Sequence, residues 1–173
     1  MQIETAPLIE NVDFDNWMRK FVRLFNDRDH INYTPSAIDM KAGSETGTVT
    51  NVQTLFDGNT LDIAEVAATP GFNVEFDFTN IVLIPQKIQL RLRYSGLSTH
   101  GVGVDLYNYD GSTWDRFTHF TDHETDDYAW IEVTVPDMSN YRDSSSNMTL
   151  RLYHYSAGND AHDLYIDYVS LRT

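Results

Sequence analysis

Between Gln86 and Phe120 apolar and polar positions alternate with a period of two. In Lys87-Ile88-Gln89-Leu90-Arg91-Leu92-Arg93-Tyr94 every second side chain is apolar, the pattern of a strand with one face in a core and the other in water. Val102, Val104 and Leu106 repeat it, Asp110-Gly111-Ser112-Thr113 reads as a turn, and Trp114 to Phe120 returns. With those four residues as the whole loop, Leu106 would face Phe117 inside, with Tyr107 opposite Arg116 and Tyr109 opposite Trp114 outside. Further strands are predicted at Thr48–Leu55, Leu61–Val66, Phe72–Phe78, Tyr128–Val135, Met148–Tyr155 and Leu164–Leu171, with Pro85 breaking the apolar run before Lys87. The last carries apolar residues on both faces, Leu164 and Ile166 against Val169 and Leu171, which predicts a central strand or one covered on its second side. About nine short strands separated by turn chemistry predict a mainly β chain, an antiparallel β-sandwich of the jelly-roll class. Its core should contain Leu90, Leu92, Leu106, Val133 and Leu152.

A different period marks the N-terminal part. Phe14, Trp17, Met18, Phe21, Leu24 and Phe25 recur at helical spacing, so Asp13 to Asp27 predicts one amphipathic helix, preceded by an arm, Met1 to Val12, without periodicity. The stripe must be covered either by the protein's own sheet or by a partner. Asn32 to Gly47, with Pro35, Gly43 and Gly47, reads as a linker. The expected organisation is therefore an arm and helix over 1–45, serving attachment or oligomerisation, and a β domain over 46–173.

Composition narrows the partners. Twenty-six acidic against twelve basic residues give a formal charge of −14, which repels phosphate backbones and anionic lipid and argues against nucleic acid and membranes. The absence of cysteine excludes disulfides and thiol chemistry. Met1 to Pro7 lacks the basic and apolar regions of a signal peptide, and the expectation is a soluble product made in a cytoplasm.

Catalytic motifs are missing: no G-x-S-x-G, no P-loop, no dinucleotide fingerprint, and no carboxylate pair set apart by an apolar setting. The expectation is a protein that is not an enzyme. His119, Asp122, His123, Glu124, Asp126 and Asp127 form the densest ligand-like group, yet their spacing across a strand end and loop suits a solvated acidic loop better than zinc, and Asp160, His162 and Asp163 read the same way. Tyr107, Tyr109, Trp114, Trp130, Tyr153 and Tyr155 could line an outer sheet face as a platform for sugar rings, or be ordinary β formers buried against a subunit.

The segment Val74–Phe78, the strand Ile88–Tyr94, the hairpin Gly103–Asp115 and the closing Leu164–Leu171 together resemble carbohydrate-binding-module and galactose-binding-like jelly rolls. More narrowly they are similar to versions of that fold on tailed bacteriophage particles, as capsid decoration (cement) proteins or in head and tail fibres. No cofactor is expected; the alternative that the resemblance offers is a structural calcium held in part by Asp167. The resemblance also implies a non-enzymatic decoration protein at the virion surface, docked through the Phe14–Phe25 stripe on the major capsid protein or other virion proteins as a homo-oligomer, a trimer by preference. The alternative is a carbohydrate-binding module or fibre domain that adsorbs to a host glycan through Tyr107, Tyr109, Trp114 and Trp130.

Overall fold

The computed structural model describes residues 30–96, 100–121 and 127–173. The predicted arm and helix, and with them Phe14, Trp17, Met18, Phe21, Leu24 and Phe25, lie outside the described residues, as do Asp122, His123, Glu124 and Asp126. Eleven strands appear among those described: β1 (Asn32–Tyr33), β2 (Ala37–Ala42), β3 (Ser44–Thr46), β4 (Leu61–Ala64), β5 (Phe72–Phe78), β6 (Lys87–Tyr94), β7 (Val102–Asn108), β8 (Thr113–Phe120), β9 (Ala129–Thr134), β10 (Met148–His154) and β11 (Asp163–Arg172). They form two antiparallel sheets. One runs β3-β4-β11-β6-β9, with β1 also on β11, and the other β2-β5-β10-β7-β8.

Alternation decides what lies between the sheets. Phe72, Val74, Phe76 and Phe78 of β5 and Leu150 and Leu152 of β10 are fully buried against Ile88, Leu90 and Leu92 of β6, while Asn73, Glu75 and Asp77 face away. Each such large apolar side chain contributes about 1.5–3 kcal/mol on burial. Of the expected core, Leu90, Leu92, Leu106 and Leu152 are wholly buried, and Val133 packs against them partly exposed near the free edge of β9.

Four sequence expectations change. The supposed linker Asn32–Gly47 holds β1, β2 and β3, so the β body begins at Asn32. Gly43 joins β2 to β3 with φ +92, and a Cβ there would come within 2.8 Å of the Ala64 carbonyl oxygen, while Gly47 follows β3. Thr48–Leu55 is not a strand but contains a 3-10 turn, Val49–Val52, because the Asn51 side chain accepts the Thr48 N–H at 2.8 Å and diverts the backbone from a ladder.

The hairpin register also moves by two residues. The Asn108 side chain accepts the Gly111 N–H at 2.9 Å and Ser112 adopts φ +51, so Tyr109–Ser112 is the loop. Leu106 then faces Asp115 and Tyr107 faces Trp114; a bulge between Val104 and Asp105 sets Asp105 opposite Arg116. In β11, a central strand between β4 and β6, a second bulge explains the apparent two-faced pattern. Ile166 pairs with Leu92 and Tyr168 with Arg91, leaving Asp167 as the extra residue, so the phase flips and Leu164, Ile166, Val169 and Leu171 all enter the same core.

Candidate functional site

The outer face of the β2-β5-β10-β7-β8 sheet carries a groove of about 340 Å³ lined by Lys41, Glu75, Thr149, Tyr107, Tyr109 and Trp114. Lys41 is on β2, Glu75 on β5, Thr149 on β10, Tyr107 on β7 and Trp114 on β8, so the groove crosses all five strands. Four strand spacings of ~4.8 Å make it about 19 Å long. Its position follows from period-two alternation: the residues that alternate with core side chains on each strand emerge together on this face.

Aromatic rings form one end. Tyr107 packs edge-on against both Tyr109 and Trp114, with centroids 4.9 and 5.2 Å apart, and the Tyr109 hydroxyl lies 3.1 Å from Thr149 Oγ1. Thr149 in turn donates to Asp77 at 2.9 Å. Burial pushes the Tyr109 hydroxyl above its ordinary pKa, so it stays a neutral donor and acceptor. The Arg151 guanidinium stands 4.3 Å over the Trp114 ring and 4.3 Å over Tyr153.

Charges cross the face in one row. Register places Asp39 beside Glu75, Glu75 beside Arg151, Arg151 beside Asp105 and Asp105 beside Arg116. Asp105 is 1% exposed and accepts from Arg116 Nε and Arg151 Nε, each at 2.8 Å. That shared carboxylate raises the Arg116 pKa, chiefly through the hydrogen bond. Gly103 leaves the room Arg116 occupies, since a Cβ there would meet the guanidinium at 2.5 Å. At the other end Lys41 is paired with Asp39 and lies 3.7 Å from Glu75. Burial pushes the Glu75 carboxyl above the ordinary carboxylate range, reinforced by Asp39 and Asp77 and opposed by Lys41.

The structure therefore brings together Tyr107, Tyr109 and Trp114 and separates Trp130. Trp130 is on β9 of the opposite sheet, stacked on Tyr168 with centroids 6.3 Å apart and planes 13° from parallel. Asp167, at the β11 bulge, lies 3.0 Å from Arg91 Nη1 and accepts the Phe56 N–H at 3.3 Å. His162 leaves the group with Asp160 and Asp163 and turns toward Glu65, with Nδ1 3.4 Å from Oε2. Sequence reasoning missed Lys41, Glu75, Asp105, Arg116, Thr149 and Arg151. A visible signal existed at Asp105, a carboxylate amid the apolar run Val102-Val104-Leu106, and in the polar alternation Thr149-Arg151-Tyr153.

No family model matches this sequence, and no curated protein does. Solved structures with the same fold include family 29 carbohydrate-binding modules. One variant, complexed with cellulohexaose, superposes with TM-score 0.53 at 10% identity, over 83% of this chain and 92% of that one. Another gives 0.54 at 10% identity, over 83% and 86%, and a third 0.52 at 11%, over 83% and 89%. At these identities the likeness is one of fold, and the chain shares the two-sheet β-sandwich of those modules.

Proposed function

We propose that this chain is a non-catalytic carbohydrate-binding module of jelly-roll type that takes an extended glycan along the groove of the β2-β5-β10-β7-β8 face. The observation that carries the reading is the groove itself, which crosses five strands with aromatic rings at one end and oriented charged and hydroxyl groups along the rest. Sugar rings present apolar C–H faces and a rim of hydroxyls, and need both kinds of contact. Tyr107 and Tyr109 supply the apolar surface; Glu75, Thr149 and Arg151 supply acceptors and donors. The solved modules of the same fold agree with this, one of them being complexed with cellulohexaose. Both arginines beside Asp105 donate to it, an arrangement that fixes the directions of their remaining donors.

The test is a glycan array followed by calorimetry on soluble linear polysaccharides, cellulohexaose among them. Saturable binding that Tyr109→Ala abolishes without altering the melt supports the reading; an array without hits, with calorimetry silent at millimolar oligosaccharide, refutes it. The capsid-decoration reading, with its trimer and its Phe14–Phe25 attachment stripe, keeps its basis in sequence and resemblance, since that stripe lies outside the described residues.

A further inference from the structure

At one end of the sandwich, away from the groove residues, four metal-capable side chains converge. Glu65 follows β4, His154 ends β10, His162 precedes β11 and His100 precedes β7. Ligand atoms of Glu65, His100 and His154 all lie within 4.8 Å of one another, and His162 Nδ1 is 3.4 Å from Glu65 Oε2. The His100 ring centroid is 4.8 Å from that of His154 and 5.2 Å from that of His162. Burial is deep: Glu65 is 3% exposed, His154 0% and His162 6%.

One nitrogen of each ring lacks an aligned hydrogen-bond partner, although those of His154 and His162 lie within ion-pair distance of Glu65. Nδ1 of His100, of His154 and of His162 is buried without a hydrogen-bond partner, an uncommon state for a buried polar atom. His154 already engages Ser156 Oγ through Nε2 at 3.0 Å, so Nδ1 is its open nitrogen, and it stands 2.7 Å from Glu65 Oε1 without hydrogen-bond alignment. The carboxylate is held from outside the cluster, by the Tyr94 hydroxyl at 2.5 Å on Oε1 and the Asn159 N–H at 2.8 Å on Oε2. This is the support a ligating carboxylate receives in a metal site. Two glycines keep the space: a Cβ on Gly71 would come within 2.3 Å of His154 Nδ1, and one on Gly158 within 3.0 Å of Glu65 Oε2.

We infer that Glu65, His100, His154 and His162 form a structural site for one divalent transition-metal ion of the zinc class. Three imidazoles and a carboxylate are a donor set that suits Zn²⁺, whereas Ca²⁺ and Mg²⁺ want oxygen alone. Ligands of a tetrahedral zinc stand roughly 3.3 Å apart, which the Glu65–His162 separation already meets. His154 Nδ1 stands 2.7 Å from the other oxygen, Oε1, so a single ligating oxygen requires the carboxylate to turn toward both imidazoles. The ion would tie together β4, β7, β10 and β11, strands of both sheets.

The experiment uses the full chain, stripped with EDTA and titrated with ZnCl₂ by calorimetry, with melting followed in parallel and Co²⁺ as a spectroscopic probe. One equivalent should bind, the melting temperature should rise with zinc, and Co²⁺ should give the intense visible bands of a four-coordinate site. His100→Ala removes the least buried ligand, and it should lower zinc affinity at least about 100-fold while leaving the metal-free melt within a few degrees. If His100→Ala fails to fold, His162→Ala serves in its place. Absence of stoichiometric zinc binding overturns the inference, as does wild-type affinity and an unchanged Co²⁺ spectrum in a folded variant, which would move the metal to a surface histidine. Glycan binding is read separately on the groove, so either proposal can fail without the other.

Discussion

Arg151 Nε donates to Asp105 Oδ2 at 2.8 Å, and the same guanidinium lies 4.3 Å over Trp114, so one carboxylate buried in β7 fixes a cation against a ring on β8. Arg116 reaches the same carboxylate from β8. Asp105→Asn keeps the shape and removes the charge both guanidiniums share. The expected loss is about 1–3 kcal/mol in urea unfolding, below the cost of breaking a fully buried pair because both arginines retain some contact with water. An unchanged midpoint would show that the arginines solvate without cost.

Ring placement separates the aromatics by role. Tyr107→Ala and Tyr109→Ala should each weaken glycan binding at least about tenfold, since a half-buried ring at a binding surface commonly contributes more than 1.4 kcal/mol. Trp130→Ala, on the other sheet, should leave affinity within about twofold. Equal losses at Trp130 and Tyr109 would place the site elsewhere.

Glu75 gives a pH signature with a definite sign. Its carboxyl is raised in the folded state, mainly by burial, so the folded protein holds this proton more tightly than the unfolded chain does. The group therefore favours folding at low pH, and that contribution is lost as pH rises through the folded-state value. Glu75→Gln should be slightly more stable than wild type at pH 7, by under about 1 kcal/mol given its partial exposure and its proximity to Lys41, with the difference vanishing below about pH 4. Urea melts at both pH values measure it; a gain that persisted at acid pH would mean that Glu75 titrates normally.

Leu92→Ala tests the core and the β11 bulge together. Leu92 is fully buried opposite Ile166, the last residue before the phase flips, and truncation should cost about 2–5 kcal/mol in urea melts. A loss below about 0.5 kcal/mol would contradict the register.

Period-two alternation is a local property, and wherever one sheet face meets a core and the other meets water it survives into the fold. β5 and β6 were legible residue for residue from Phe72–Phe78 and Lys87–Tyr94, and β10 nearly so, because each side chain's direction there follows from its neighbours two positions away. Three of the four proposed sugar-facing aromatics fall together for the same reason: Tyr107, Tyr109 and Trp114 flank one short loop, so any hairpin brings them close.

What alternation cannot specify is register and partner, which depend on hydrogen bonds between segments far apart in the chain. One bulge residue at Asp167 turned a strand that looked two-faced into one whose four apolar residues share a core, and the Asn108 side chain moved the β7–β8 pairing by two. Only the sheet order laid Lys41, Glu75, Arg151 and Asp105 across one face. Only the packing of the two sheets drew Glu65, His100, His154 and His162 from four separate strand ends to a common point, because antiparallel strands return their termini to the same end of a sandwich wherever those residues stand in sequence.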